Sequence, residues 1–245
     1  MEHQEEAETR ADDALDDALI VRVSPAGPGE VRRGARTERG LDPRTRRTRA
    51  AIVEAATTLF LRHGYQGTST DDIARLAAVS KRTVYNNFGD KERLFTEIIL
   101  GITVTAERLA DELVLELGQA EDVPAALHDA AHRLLDAVTR PLILQLRRLL
   151  IAEAGRFPDL ARDYYRAAPG RVLGGLAAAI GSLAERGALV APDPRRAAEH
   201  FAFLVLGATL DRAMFEGEQS VPSDAERRRT ADDAARVFLA AYAAR

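Results

Sequence analysis

The sequence predicts an all-α protein of about nine helices. Alanine and leucine dominate its 245 residues, tryptophan is absent and β-branched runs are scarce, a composition that favours helix over strand. Beyond residue 42, apolar positions recur at three- and four-residue spacing, the period of a helix with one buried face. Prolines fall at the edges of these stretches, where they start or stop a helix.

Residues 1–42 are the exception. They lack sustained periodicity and are rich in Glu, Asp, Gly, Pro and Arg, which predicts a disordered tail. Its beginning is acidic (Glu2, Glu5, Glu6, Glu8, Asp12, Asp13, Asp16 and Asp17 against Arg10) and its end basic (Arg32, Arg33, Arg36 and Arg39). A solvated extension is the plain reading of this tail, and an arginine arm against nucleic acid the sharper one.

From Thr45 to His63, the residues Ile52, Val53, Ala56, Leu59 and Phe60 share one helical face, and Gly64 follows as a stop. Thr70 is the expected N-cap of a short helix with Asp71 and Asp72 in its first turn and Ile73, Ala74 and Ala77 on its buried side. Ser80 caps the next helix, in which Val84 and Phe88 face inward. Asp90 opens a longer one carrying Leu94, Ile98, Ile102, Leu109 and Leu113. If that helix runs to Leu117 it is about 40 Å long.

Pro124 and Pro141 each open a further helix. Phe157-Pro158 and Pro169-Gly170 break the next stretch, and Gly187 ends a helix from about Arg171 to Arg186. Pro192 and Pro194 precede one reaching about Glu216, and the last spans about Ser223 to Ala244. The expected division is a tail (1–42), a three-helix domain (43–92) and a helical bundle (93–245).

The two short helices around residues 70–88, joined by a tight junction, have the build of a helix-turn-helix, which offers one helix end to the edges of DNA bases. The second helix opens with Ser80, Lys81, Arg82 and Thr83. Lys and Arg can donate to guanine acceptors in the major groove, and Ser or Thr to phosphate. Tyr85 and Asn86 lie one turn on, and Lys91 follows as a backbone clamp. The net charge of −4 opposes this reading only until it is divided. Ten basic and five acidic side chains lie between Arg44 and Arg93, and the local field governs attraction to phosphate.

The pattern Gly64-Tyr65-x-x-Thr68-Ser69-Thr70-x-x-Ile73-Ala74, then Val79-Ser80-Lys81-x-Thr83-Val84-Tyr85-x-x-Phe88-x-x-Lys91-x-x-Leu94-Phe95, resembles the TetR/AcrR family of transcriptional regulators. That resemblance implies phosphate contacts from Thr70, Tyr85 and Lys91, and a major-groove face made of Lys81, Arg82, Thr83 and Asn86. It further implies a homodimer on a palindromic operator, acting as a repressor. Ala78 departs from the pattern, where such sequences often have glycine in the turn.

Beyond residue 100 the likeness is weaker, though Arg147 to Leu160 is similar to the AefR-like C-terminal group. An unidentified hydrophobic small-molecule effector is expected to lie among Leu109, Leu134, Leu146, Leu150, Tyr164, Leu173 and Leu176. The same leucines would also describe any packed bundle. Self-association is expected through two helices bearing Phe201, Val205 and Ala208, and Val237, Phe238 and Tyr242, paired across a two-fold as the family does.

Other signals point away from an enzyme. There is no cysteine, which excludes disulfides and thiolate chemistry. His128 and His132 stand at zinc-like spacing with Asp136 beyond, but no third ligand is marked, so neither metal nor cofactor is expected. Gly174, Gly175 and Gly181 match no nucleotide loop. No secretory leader is visible, and the apolar run from Phe201 to Leu210 is half the length a bilayer requires. The expectation is a cytoplasmic protein without a membrane partner. The rival reading is an all-helical small-molecule-binding protein or enzyme without sequence-specific DNA binding.

Overall fold

The structure, a computed structural model, describes residues 42–244. All of the tail read at residues 1–42 except Asp42, its acidic run and arginines included, lies outside the described residues. Eleven α-helices and no named strand occur among the described residues. Two pairs follow one another across a single residue, at Ile102 and at Ala168. The chain divides into two compact units, one ending at Ile102 and the other beginning at Thr103.

The first unit holds α1 (Pro43–His63), α2 (Thr70–Leu76), α3 (Lys81–Phe88) and α4 (Lys91–Gly101). Pro43 occupies the first turn of α1, and Gly64 ends that helix at φ +71°, its N–H donating to the Phe60 carbonyl at 2.9 Å. The core gathers Ile52, Phe60, Ile73, Val84, Phe88, Leu94 and Phe95. Phe60 meets Phe95 edge-on at 5.3 Å and Tyr65 in a stack at 5.8 Å, arrangements that add to the burial of their area.

The cap of α2 is Ser69 rather than Thr70. Ser69 has extended backbone angles, and its hydroxyl accepts from the Asp72 N–H at 3.1 Å. Thr70 is already helical, so its hydroxyl cannot take the capping position. Ser80 and Asp90 cap α3 and α4 as expected, accepting from the Thr83 and Arg93 N–H groups.

The turn from α2 to α3 shows what Ala78 does. Val79 N–H donates to Ala74 O at 3.0 Å and Ala78 N–H to Arg75 O at 3.2 Å, the paired bonds of a Schellman motif. Ala78 therefore occupies the left-handed position, at φ 52°. An L-residue there costs roughly 1–2 kcal/mol, partly offset because alanine is stiffer than glycine when unfolded. Ala78→Gly is accordingly expected to stabilise the unit by ~0.5–1 kcal/mol, read as a higher urea midpoint at unchanged slope. A lower midpoint would show that the turn is not strained.

The second unit comprises α5 (Thr103–Glu112) with a π-helical turn (Leu113–Leu117), then α6 (Val123–Val138), α7 (Pro141–Glu153), α8 (Pro158–Ala167), α9 (Pro169–Glu185), α10 (Pro194–Glu216) with a 3-10 turn (Gly217–Ser220), and α11 (Asp224–Tyr242). The single helix expected from Asp90 to Leu117 is thus two helices and a π turn. Ile102, at φ −74° and ψ −13°, ends α4 just after Gly101, a poor helix former. Apolar periodicity continues straight across this break, so spacing alone conceals it.

The bundle's main apolar cluster draws on α5, α6, α9, α10 and α11, and includes Leu113, Leu127, Leu134, Leu176, Ile180, Phe201, Val205 and Phe238. A Cβ at Gly175 would stand 2.7 Å from the Ala110 carbonyl oxygen, so glycine is what lets α9 approach α5 this closely. The stretch 158–185 is long and apolar enough to cross a membrane by length and composition alone. It breaks at Ala168, and Leu176, Ala179, Ile180 and Leu183 lie in the bundle core, which accounts for its apolarity.

The two histidines singled out in the sequence sit on α6 beside carboxylates. His128 Nε2 lies 3.0 Å from Asp232 Oδ1, and His132 Nδ1 lies 3.2 Å from Asp136 Oδ2. Arg227 Nε also approaches Asp136 Oδ1 at 2.8 Å.

Candidate nucleic-acid interface

Helix α3 divides cleanly between core and solvent. Val84 and Phe88 are buried, whereas Lys81, Arg82, Tyr85 and Asn86 are exposed. This follows from the 3.6-residue period: positions 84 and 88 fix the helix to its unit, and the turn's other side faces out. Ser80 and Thr83 serve partly as structure, since the Ser80 hydroxyl accepts from Thr83 N–H at 3.1 Å and stands 2.8 Å from the Thr83 hydroxyl. Asn87 Nδ2 donates to the Thr83 carbonyl at 2.8 Å.

The structure brings Thr70 to Tyr85. Their hydroxyls are 3.4 Å apart, joining the start of α2 to the middle of α3. Each hydroxyl carries one O–H that can donate to an acceptor. Arg82 has no ion-pair partner among the described residues, so its five guanidinium donors remain available to an outside acceptor.

Lys91 is used differently from a bare clamp on DNA. Its ammonium donates to the Tyr65 and Thr68 carbonyls at 2.8 Å each and sits 4.2 Å above the Tyr65 ring. It therefore ties α4 to the chain between α1 and α2, the segment that delivers Thr70. A contact to DNA phosphate would have to be added to these bonds.

The two acids in the first turn of α2 have separate tasks. Asp72 is held by the Ser69 hydroxyl and by Arg75, and these two partners, Ser69 foremost, keep its carboxyl below the usual carboxylate range. Asp71 reaches across the turn to Lys81, whose ammonium lies 2.9 Å from Oδ1 and 3.0 Å from Oδ2. The hydrogen bond and the charge of Asp71 raise the Lys81 pKa further above its ordinary value.

Arg49 was not legible as a site residue. Its guanidinium donates to the Asn87 carbonyl at 2.5 Å, pairs with Glu97 and lies 4.2 Å from the Phe88 ring centroid. One side chain on α1 thereby holds the C-terminal end of α3 and a carboxylate of α4. A lone arginine on a helix carries no local signal of such a role; only tertiary placement reveals it.

In the second unit, six of the seven residues expected around an effector are buried, and Leu173 is half-buried. Leu109, Leu134, Leu173 and Leu176 belong to or pack on the main cluster, while Leu146, Leu150 and Tyr164 lie apart from it on α7 and α8. Burial raises the Tyr164 phenol pKa, and the positive charge of Arg147 opposes that shift.

The six residues expected at a dimer interface separate into two groups. Phe201, Val205 and Phe238 are fully enclosed within the protomer's own core, where no second chain can reach them. Ala208 and Val237 are exposed and Tyr242 is half-buried. Sequence spacing missed the most open apolar side chains on α10, Phe203 at 76% and Phe215 at 84% exposure, because that helix is apolar on more than one side.

Two stretches of the chain match models of known protein families. Residues 52–98 match the model described as bacterial regulatory proteins, tetR family. Residues 125–244 match that of the AefR-like transcriptional repressor C-terminal domain. The chain is 36% identical to a TetR-family transcriptional regulator of Mesorhizobium loti MAFF303099, covering 82% of this chain and 100% of that one with a TM-score of 0.74. It is 30% identical to the flavonoid-responsive regulator FrrA, covering 81% and 98% of the two chains with a TM-score of 0.65. Among curated relatives, it is 38% identical over 87 residues to the helix-turn-helix transcriptional regulator YhgD of Bacillus subtilis, spanning 36% of this chain and 42% of that one. The match thus covers less than half the length of that curated relative.

Proposed function

Because the chain belongs to the TetR family of helix-turn-helix transcriptional regulators, we propose that it is a ligand-responsive repressor binding a palindromic operator as a homodimer. The observation that carries this reading is the outward face of α3, where Lys81, Arg82, Tyr85 and Asn86 are exposed together while Val84 and Phe88 anchor the helix. One short helix reads too few bases for useful discrimination, so two half-sites related by a protein two-fold are required. Thr70, Ser80, Tyr85 and Lys91 take phosphate roles, and Lys81, Arg82, Thr83 and Asn86 face the bases. Acting on chromosomal DNA, such a regulator would work in the cytoplasm.

The effector reading rests on the bundle. The residues expected around an effector are apolar apart from Tyr164, a composition that suits a hydrophobic small molecule with few polar groups. Similarity to the flavonoid-responsive FrrA over nearly its whole length makes flavonoids the first class to test. Effector binding changes the spacing of the two reading helices, with α4 as the carrier, since Glu97 on α4 and the end of α3 share Arg49.

A gel shift at fixed salt tests the reading, using the intergenic DNA upstream of its own gene against a shuffled duplex. Equal affinity for the two would overturn it. Arg82→Ala should weaken specific binding by ~1–3 kcal/mol and relax preference at one base position, as expected for a bidentate base contact. A uniform loss on all sequences would instead make Arg82 a phosphate contact.

A further inference from the structure

Lys81 is the exposed residue of α3 whose head group is already occupied. Both oxygens of Asp71 lie on its ammonium, at 2.9 and 3.0 Å. The pair spans two helices and the whole turn, so it is not a by-product of neighbouring positions on one helix. Asp71 is also free of the duties that absorb Asp72, which serves Ser69 and Arg75.

A carboxylate this close to a DNA-reading tip needs a reason, because it lowers the attraction to phosphate. A lysine head is a compact charge on a flexible stem that can meet any nearby phosphate. Phosphate contacts add affinity without sequence information. A lysine paired with a carboxylate is in part withdrawn from that sequence-blind attraction, modestly so for a pair as exposed as this one. With two of its three donors on Asp71, one remains for a base-edge acceptor.

We infer that Asp71 is a specificity-determining residue of this regulator, restraining Lys81 so that it rewards a matching base but not an arbitrary phosphate. The inference rests on α3 being the base-reading helix. It adds a residue that does not itself touch the bases but acts through one that does.

The test compares wild type, Asp71→Asn, Lys81→Gln and the double variant on two duplexes across a salt series. One duplex carries the site selected by the wild type from a random pool, and the other is its shuffled counterpart. Asp71→Asn should raise affinity for the shuffled duplex about three- to tenfold near 0.1 M salt and steepen its log–log salt slope by about 0.9, the signature of one added phosphate contact. Affinity for the selected site should change less, so the specificity ratio falls. In the Lys81→Gln background, Asp71→Asn should leave the ratio unchanged, because nothing remains to be restrained.

Equal gains on both duplexes, or a gain that persists without Lys81, would reduce Asp71 to general repulsion and overturn the inference. So would no change at all. A loss confined to the selected site would make Asp71 a direct reader, for instance of a cytosine amino group. If the wild type itself selects no site, the proposed function fails first and the inference falls with it.

Discussion

Replacing Phe201 with alanine is expected to lower the stability of the helical bundle by about 3–5 kcal/mol, the usual loss for a buried aromatic residue. Phe201 is fully enclosed on α10. Its ring meets Phe238 of α11 edge-on at 5.1 Å, and Phe238 in turn stacks on Tyr242 at 4.6 Å. Truncation empties the middle of a cluster that also holds Leu127, Ile180 and Leu183. A change of this size is a large share of the ~5–15 kcal/mol that separates folded from unfolded chains. Urea unfolding followed by circular dichroism should show the same loss at low and high protein concentration, since the contacts lie within one protomer. A loss that grows with concentration would place Phe201 at an interface instead.

Phe201 also shows where the sequence was readable and where it was not. Helix edges were written in local chemistry. Pro141, Pro158, Pro169 and Pro194 begin helices, Gly64 ends one, and Ser80 and Asp90 cap two more. The outward tip of α3 was equally visible, because a helix of eight residues has only one side left once Val84 and Phe88 are buried. What failed needed a third dimension. Phe201 and Phe203 are both apolar and two residues apart, and only packing against α11 decides which one is enclosed. The break at Ile102 is invisible to a periodicity that continues through it. Ser69 and Thr70 are both good caps, and the choice turns on which residue first adopts helical angles. Arg49 and Asp71 bind partners 38 and 10 positions away, beyond the reach of any local pattern.

The second large effect is expected from Phe203→Asp. Phe203 is 76% exposed on the side of α10 that turns away from the core, on the same helix as exposed Leu204 and Ala208. A single surface change of this kind should alter protomer stability by no more than about 0.5 kcal/mol. In the proposed two-fold interface, however, the same patch occurs on both chains and each substitution counts twice. Two carboxylates then enter a surface that dimerisation dries, each without a partner and each at a cost of a few kcal/mol. A combined loss of about 4 kcal/mol would weaken the dimer roughly a thousandfold. Sedimentation at micromolar concentration should therefore show a folded monomer, with the helical signal of the wild type intact. Affinity for the operator should collapse because the second half-site is no longer tethered to the first, while weak binding to random DNA persists through α3. A variant that stays dimeric and keeps its operator affinity would move the interface off α10. A variant that unfolds would contradict the exposure of Phe203, and the contrast with Phe201→Ala separates these two failures.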